Sequence, residues 1–229
     1  MQKNNISKKP EASKIKAEEI LARLTQLYPA PLPQLEFESP WQLMLATILA
    51  AQCTDERVNK VTPELFSRWP GPKELAQAKL EDVEQVVRST GLFRSKAKNM
   101  VANAKRLVEH FNGKVPQNMS DLTSLPGVAR KTANIVLWAG FGKNEGVAVD
   151  THVKRISYRI GLTSQTRPEA IEKDLMMLFL QESWGDLNNR LVWFGRDVCS
   201  ARTPHCSECV LYDLCERNGL DANYKPVGG

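Results

Sequence analysis

A chain of 229 residues, 42% hydrophobic and 25% charged, is long enough for one large or two modest cores and has the composition of an ordinary soluble globular protein. Its net charge of +5 permits a nucleic-acid partner without demonstrating one. No apolar run approaches the roughly 20 residues that span a bilayer, and the N-terminal lysines are followed by no apolar stretch, so neither a spanning helix nor a signal peptide is expected, and a cytoplasmic, reducing setting is.

The chain opens with a polar tail, Met1 to about Ala12, for which disorder is the expectation. Ser13 is placed to cap a helix with Ile20, Leu21, Leu24, Leu27 and Tyr28 on one face; Pro29, Pro31 and Pro33 end it. Ser39-Pro-Trp-Gln42 has the form of a capping box opening a helix to Ala51, apolar almost all round and so expected to run through a core. Gln52 follows it directly and reads either as an ordinary helix-end glutamine or as a side chain emerging into a cleft. Helices are expected near 58–69, 72–78 and 80–90, the last stopped by Gly91. Leu92 and Phe93 then form an apolar pair before Arg94 and Lys96. They read either as a turn tucked into the core or as an exposed wedge flanked by positive charge, of the kind pushed between bases. A long helix is predicted from Ser95 to Asn112. After Asp150 three more are expected, near 151–160, 167–180 (opened by a Thr166-Arg-Pro-Glu169 capping box) and 186–198. The residues from about Asn218 are expected to fray. No credible strand is found, so the fold class is all-α.

Two stretches carry chemistry. Leu125-Pro-Gly-Val-Ala-Arg-Lys-Thr-Ala-Asn134 reads as a short helix, a tight hairpin and a second helix opening at Arg130. Gly127 allows the sharp turn and a close approach from outside, and the amides after it suit a phosphate. Lys131 lies on the first helical turn, where the helix field disfavours an ammonium and favours a nucleophilic amine. Asp150, in Val147-Ala-Val-Asp-Thr-His152, is a predicted N-cap whose carboxylate can face a cation. The other stretch is C-x6-C-x2-C-x5-C: Cys199, Cys206, Cys209 and Cys215, four of the five cysteines. In a reducing compartment they point to a metal rather than to disulfides. The spacing alone leaves zinc and an iron–sulfur cluster both open. Cys53 stands apart as a small core residue. Arg202, in the loop between the first two cysteines, is a candidate phosphate contact.

The hairpin stretch and the Val-Asp-Thr-His segment resemble the helix-hairpin-helix and Gly/Pro-Asp segment of the endonuclease III family of DNA glycosylases, over about Ile15 to Cys215. The cysteine spacing is similar to that of the family's cluster, and the resemblance therefore implies [4Fe–4S]. It implies two helical domains flanking a DNA-binding cleft. A six-helix barrel would cover 33–143, and a cluster domain 144–229 would be joined by the N-terminal tail and helix of 1–32. Residue by residue, it makes Lys131 and Asp150 catalytic, Gln52 the filler of the gap left by an extruded nucleotide, and Leu92 the wedge. Gly127, Ala129, Arg130, Thr151, His152 and Arg202 would contact DNA. Ala129 departs from the family's commonest Gly-Val-Gly hairpin; alanine keeps its N–H but dislikes positive φ. Adenine glycosylases lack the lysine and carry a further C-terminal domain, so Lys131 in a chain ending soon after the cysteines implies a bifunctional enzyme. The implied activity is removal of oxidised pyrimidines and cleavage at the resulting abasic site, on double-stranded DNA, by a monomer. The alternatives are a monofunctional base or mismatch glycosylase, a non-catalytic helix-hairpin-helix DNA-binding protein, and an iron–sulfur electron carrier.

Overall fold

The structure, a computed structural model, describes residues 8–31 and 33–220, the first five by backbone alone. The expected disordered tail lies mostly outside the described residues. Among them are eleven α-helices and no strand. The chain divides into two compact units. One is contiguous, 33–145; the other joins the residues up to 32 to those from 146 onward.

The contiguous unit is built around α2 (Pro40–Leu49), in which Trp41 and every residue from Leu43 to Leu49 are buried. Its start is set as the capping box requires. The Gln42 amide donates to Ser39 Oγ at 3.3 Å, while Gln42 Oε1 accepts from the Glu38 amide at 2.7 Å, one residue further back than the usual box. Around it run α3 (Asp55–Arg68), α4 (Pro72–Ala76), α5 (Leu80–Val87) and α6 (Phe93–Phe111), then the short α7 (Met119–Thr123) and α8 (Arg130–Ile135). A 3₁₀ turn, Arg88–Thr90, extends α5, and a π-helical turn, Val136–Gly140, extends α8. Leu122, Leu125, Val128, Ala133, Val136 and Leu137 join the same core as α2, so the hairpin is held by its own apolar face.

The other unit contains α1 (Lys8–Leu27), α9 (Thr151–Arg159), α10 (Pro168–Leu178) and α11 (Trp184–Asp197), followed by the cysteine loop with its 3₁₀ turns Cys206–Glu208 and Tyr212–Leu214. Helix α1 begins at Lys8, so Ser13 lies inside it rather than capping it. Ile20 and Leu24 are fully buried, each contributing about 1.5–3 kcal/mol; Leu27 is exposed. The Thr166 capping box does not form. Arg167 is the N-cap of α10, with no side-chain cap. Pro168 takes the first helical position and forces the residue before it to be extended (ψ 134°), which moves the boundary past Thr166. Of the end expected to fray, Asn218 is held, its backbone donating to Arg159 O and its side chain to Tyr158 O, both at 3.1 Å; residues 221–229 lie outside the described residues. Arg23 donates to Asp213 and to Val210 O, Lys16 to Glu216 at 3.1 Å, and Tyr28 to Asp197 at 3.0 Å. The N-terminal helix is thereby tied to the cysteine loop and to the end of α11.

Candidate active site and cysteine loop

The hairpin begins at α7, whose Asn118 cap accepts from Asp121 N–H at 2.9 Å. Gly127 has φ +80°, and a Cβ there would lie 3.0 Å from Asn99 Cβ on α6. Asn103, on the same helix, donates through Nδ2 to Pro126 O at 3.1 Å, fixing the turn from below. Ala129 is the N-cap of α8 with φ −85° and ψ 169°. Its backbone is extended, not left-handed, and this explains why alanine is accommodated there. Ala129 offers no side-chain oxygen to the helix start. Arg130 and Lys131 are exposed on the first turn, while Thr132, Ala133 and Asn134 are buried. Lys131 makes no hydrogen bond or ion pair among the described residues. Gly127→Ala is expected to cost about 1–2 kcal/mol from the left-handed backbone alone, with the Asn99 contact adding to it. Thermal unfolding and a binding titration on an abasic-site analogue duplex should both register the change; unaltered values in both would remove Gly127 from the site.

Asp150 caps α9. Its Oδ1 accepts both the His152 N–H at 2.8 Å and the Val153 N–H at 2.9 Å. Both structural bonds fall on one oxygen, and Oδ2 makes no hydrogen bond among the described residues. Thr151 is exposed; His152 is half-buried, with Nδ1 3.2 Å from Arg155 Nη2.

Two arginines that the sequence reading passed over join α9 to the cysteine loop. Arg155 donates to Gly195 O and Cys199 O, both at 3.0 Å from Nη2. Arg159, 7% exposed, donates to Ser200 O at 2.6 Å, Ala201 O at 2.8 Å and Cys199 Sγ at 3.4 Å. Their four-residue spacing on one helix is the only signal the sequence carried, and it resembles that of any solvated face. Arg202 is exposed on the loop they brace.

None of the five cysteines is in a disulfide. Cys199 is buried; Cys206, Cys209 and Cys215 are half-buried. Burial pushes the Cys209 thiol up to about 11 and raises those of Cys206 and Cys215, and the loop's thiols lie within electrostatic range of one another. Cys215 Sγ also accepts the Arg217 amide at 3.4 Å. Among the described residues no three His, Cys, Asp or Glu side chains are grouped tightly enough for a single metal ion. A cluster of several irons takes its thiolates on separate irons and so spaces them more widely. Four cysteines, with N–H groups aimed at two of the sulfurs, fit such a donor set. Cys53 is half-buried against the α2 core.

Gln52 and Leu92 are both exposed, and both have left-handed backbone, φ 54° and 47°. Phe93, by contrast, packs against the core with Arg94 over its ring at 5.2 Å. The pair is therefore split: Leu92 is 58% exposed and Phe93 is not. Lys96 is not a flanking surface charge. It is 4% exposed and donates to two backbone carbonyls, because the first turn of α6 faces the core at that position.

A helical fold with a helix-hairpin-helix and an aspartate-capped helix after it defines a class: residues 45–181 match the HhH-GPD superfamily of base excision DNA repair proteins. Residues 199–215 match the iron–sulfur binding domain of endonuclease III. The chain is 50% identical to endonuclease III of Synechocystis sp. over 93% of its length and 97% of that protein. Against endonuclease III of Escherichia coli K12 it is 39% identical, over 89% and 96%. A solved structure of a trapped endonuclease III–DNA covalent intermediate superposes with a TM-score of 0.85 at 38% identity, covering 89% of this chain and 96% of that one. The chain belongs to the endonuclease III family. It is accordingly a DNA N-glycosylase and abasic-site lyase of base excision repair that carries an iron–sulfur cluster. No helix among the described residues is long and apolar enough to cross a membrane.

Proposed function

We propose that this chain removes oxidised pyrimidines, such as thymine glycol, from double-stranded DNA through a Schiff base on Lys131. The observation that carries the reading is the division of labour at the two helix starts. Lys131 is an exposed, unengaged amine; Asp150 uses one carboxylate oxygen for its helix and keeps the other.

The damaged nucleotide must leave the stack before its sugar carbon can be reached, at a cost of a few kcal/mol that is lowest for a damaged base. Gln52 and Leu92, both exposed, occupy the vacated space. Lys131 Nζ attacks C1′. The C1′–N bond breaks, and the base departs with the electron pair and takes up a proton. Asp150 stabilises the cationic sugar in the transition state through its negative charge. Opening of the sugar ring gives the Schiff base. Loss of a C2′ proton then expels the 3′ phosphate by breaking its C–O bond, and water releases the lysine. Cys199, Cys206, Cys209 and Cys215 would hold a [4Fe–4S] cluster, whose contribution would be to tie down the loop that presents Arg202 to phosphate; neither chemical step moves an electron. Gly127, Ala129 and Arg130 in the hairpin, and Thr151 and His152 on α9, face DNA in this reading, and a single chain acts alone.

Borohydride reduction of the chain with a duplex carrying one thymine glycol tests this directly. A covalent protein–DNA adduct, together with strand cleavage, is expected. Base release with no adduct on this duplex or on an abasic-site duplex would replace the scheme with a monofunctional glycosylase.

A second expectation concerns cluster loading. Thiols raised by burial hold their protons more tightly, so iron must displace them, and loading should weaken as pH falls. Cys209→Ser should lose nearly all iron–sulfur absorbance at every pH. Retention of full absorbance would remove Cys209 from the ligand set.

A further inference from the structure

Among the described residues, four non-glycine residues have left-handed φ: Gln52, Leu92, Asn112 and Arg217. Asn112 ends α6 just before Gly113, and asparagine tolerates that conformation. Arg217 follows the last cysteine. Gln52 and Leu92 have no such explanation: neither residue type favours the conformation, and both are exposed. The surrounding structure must therefore hold them there.

One side chain reaches the anchors of both. Lys96 Nζ donates to Leu49 O and to Thr90 O, each at 2.7 Å. Leu49 is the last residue of α2 and lies three positions before Gln52. Thr90 is the last residue of the 3₁₀ turn and lies two before Leu92. Carbonyls at helix ends lack the N–H that an added turn would supply, and an ammonium suits the negative pole there. Lys96 stands on the first turn of α6, and its own N–H donates to Leu92 O at 3.1 Å. It thus grips the Leu92 turn from both sides. It has no ion pair among the described residues, and burial holds its pKa below the ordinary lysine range, opposed by the nearby Cys53 thiol. A buried cation whose partners are carbonyls and not a counter-charge is costly, and the two hydrogen bonds offset that cost only in part. Shielded at 4% exposure, it is out of reach of DNA.

We propose that Lys96 is a positioning residue for base extrusion: its ammonium clamps the ends of α2 and of the Arg88–Thr90 turn to each other, so that Gln52 and Leu92 are presented as a fixed, left-handed pair. The proposal rests on the reading of Gln52 and Leu92 given above. The clamp matters when a base must be unstacked and matters less at an abasic site, where there is none.

The test compares wild type, Lys96→Met (similar reach, no donor), Lys96→Arg and Leu92→Ala. It uses single-turnover excision of thymine glycol from duplex, cleavage of a duplex abasic site, and thermal unfolding. Lys96→Met is expected to slow excision roughly tenfold to a hundredfold while abasic-site cleavage stays within about threefold, since misplacement affects the step that needs the geometry. A fluorescent base analogue beside the lesion should report slower extrusion. Lys96→Arg, which keeps charge and donors, should recover most of the rate. Lys96→Met added to Leu92→Ala should cost little more than Leu92→Ala alone. Equal loss on both substrates, in step with the fall in unfolding midpoint, would make Lys96 a general stabiliser and overturn the proposal. Excision slowed by Leu92→Ala but not by Lys96→Met overturns the clamp alone. A wild-type chain that excises no base overturns the clamp and the reading beneath it together.

Discussion

Lys131→Ala is expected to abolish both base excision and abasic-site cleavage and to leave no borohydride-trapped adduct, while DNA binding and the unfolding midpoint stay close to wild type. The side chain is exposed and makes no hydrogen bond or ion pair among the described residues, so truncating it removes no structural contact. Alanine is also the best helix former, so α8 is not weakened. Loss of a covalent nucleophile costs on the order of 10⁴-fold or more in rate. In the proposed scheme one amine serves both steps, so the two activities are expected to fall together. Lyase activity lost with full base release retained would assign the first step to another nucleophile, and the comparison needs only two gel assays on one duplex.

Asp150→Asn should be nearly as damaging to catalysis and far milder for the fold. Asparagine is as good an N-cap as aspartate, and its Oδ1 can keep the bonds to the His152 and Val153 amides. The charge is lost, and with it the stabilisation proposed for a cationic transition state, so a loss of roughly a hundredfold to a thousandfold is expected. Asp150→Ala should lose the cap as well and be destabilised by a further ~1 kcal/mol. Excision rates for the two variants, set beside their unfolding midpoints, separate the oxygen that holds the helix from the oxygen left for chemistry. An Asp150→Asn variant with wild-type excision would mean that the residue serves α9 alone.

Much of this was legible in the sequence wherever a local rule decided the outcome. Ser39 before Pro40, Asp150 before a helix and Gly127 in a tight turn each meet a requirement set within a few residues, and the structure places them accordingly. The Thr166 box was misread because two local rules competed, and the proline after Arg167 prevailed. The start of α1 was misread because Ser13 is a good cap that the chain did not need. Lys96 was illegible for a different reason. Whether a lysine near a helix start is solvated or buried depends on where the ends of two other helices fall, and periodicity does not encode that. Arg155 and Arg159 were missed likewise, since their partners are carbonyls and a sulfur about 40 residues away in the chain. The π-helical turn after α8 left no trace in the pattern of apolar residues.

The ties between α1 and the cysteine loop bear on how the protein is made. Residues 33–145 form a unit continuous in sequence, so a nascent chain can complete it as soon as it has cleared the ribosome. The apolar stripe of α1, with Ala17, Ile20 and Leu24, is synthesised earlier, but its partners, from Val147 to Leu211, emerge last. For most of translation that stripe is an uncovered hydrophobic surface waiting on the segment that will also receive iron. Docking of the first helix and maturation of the cluster are therefore late events that converge on one stretch of chain. A shortage of iron during synthesis should then appear as chains whose N-terminal helix remains open to proteases while the contiguous unit is already resistant.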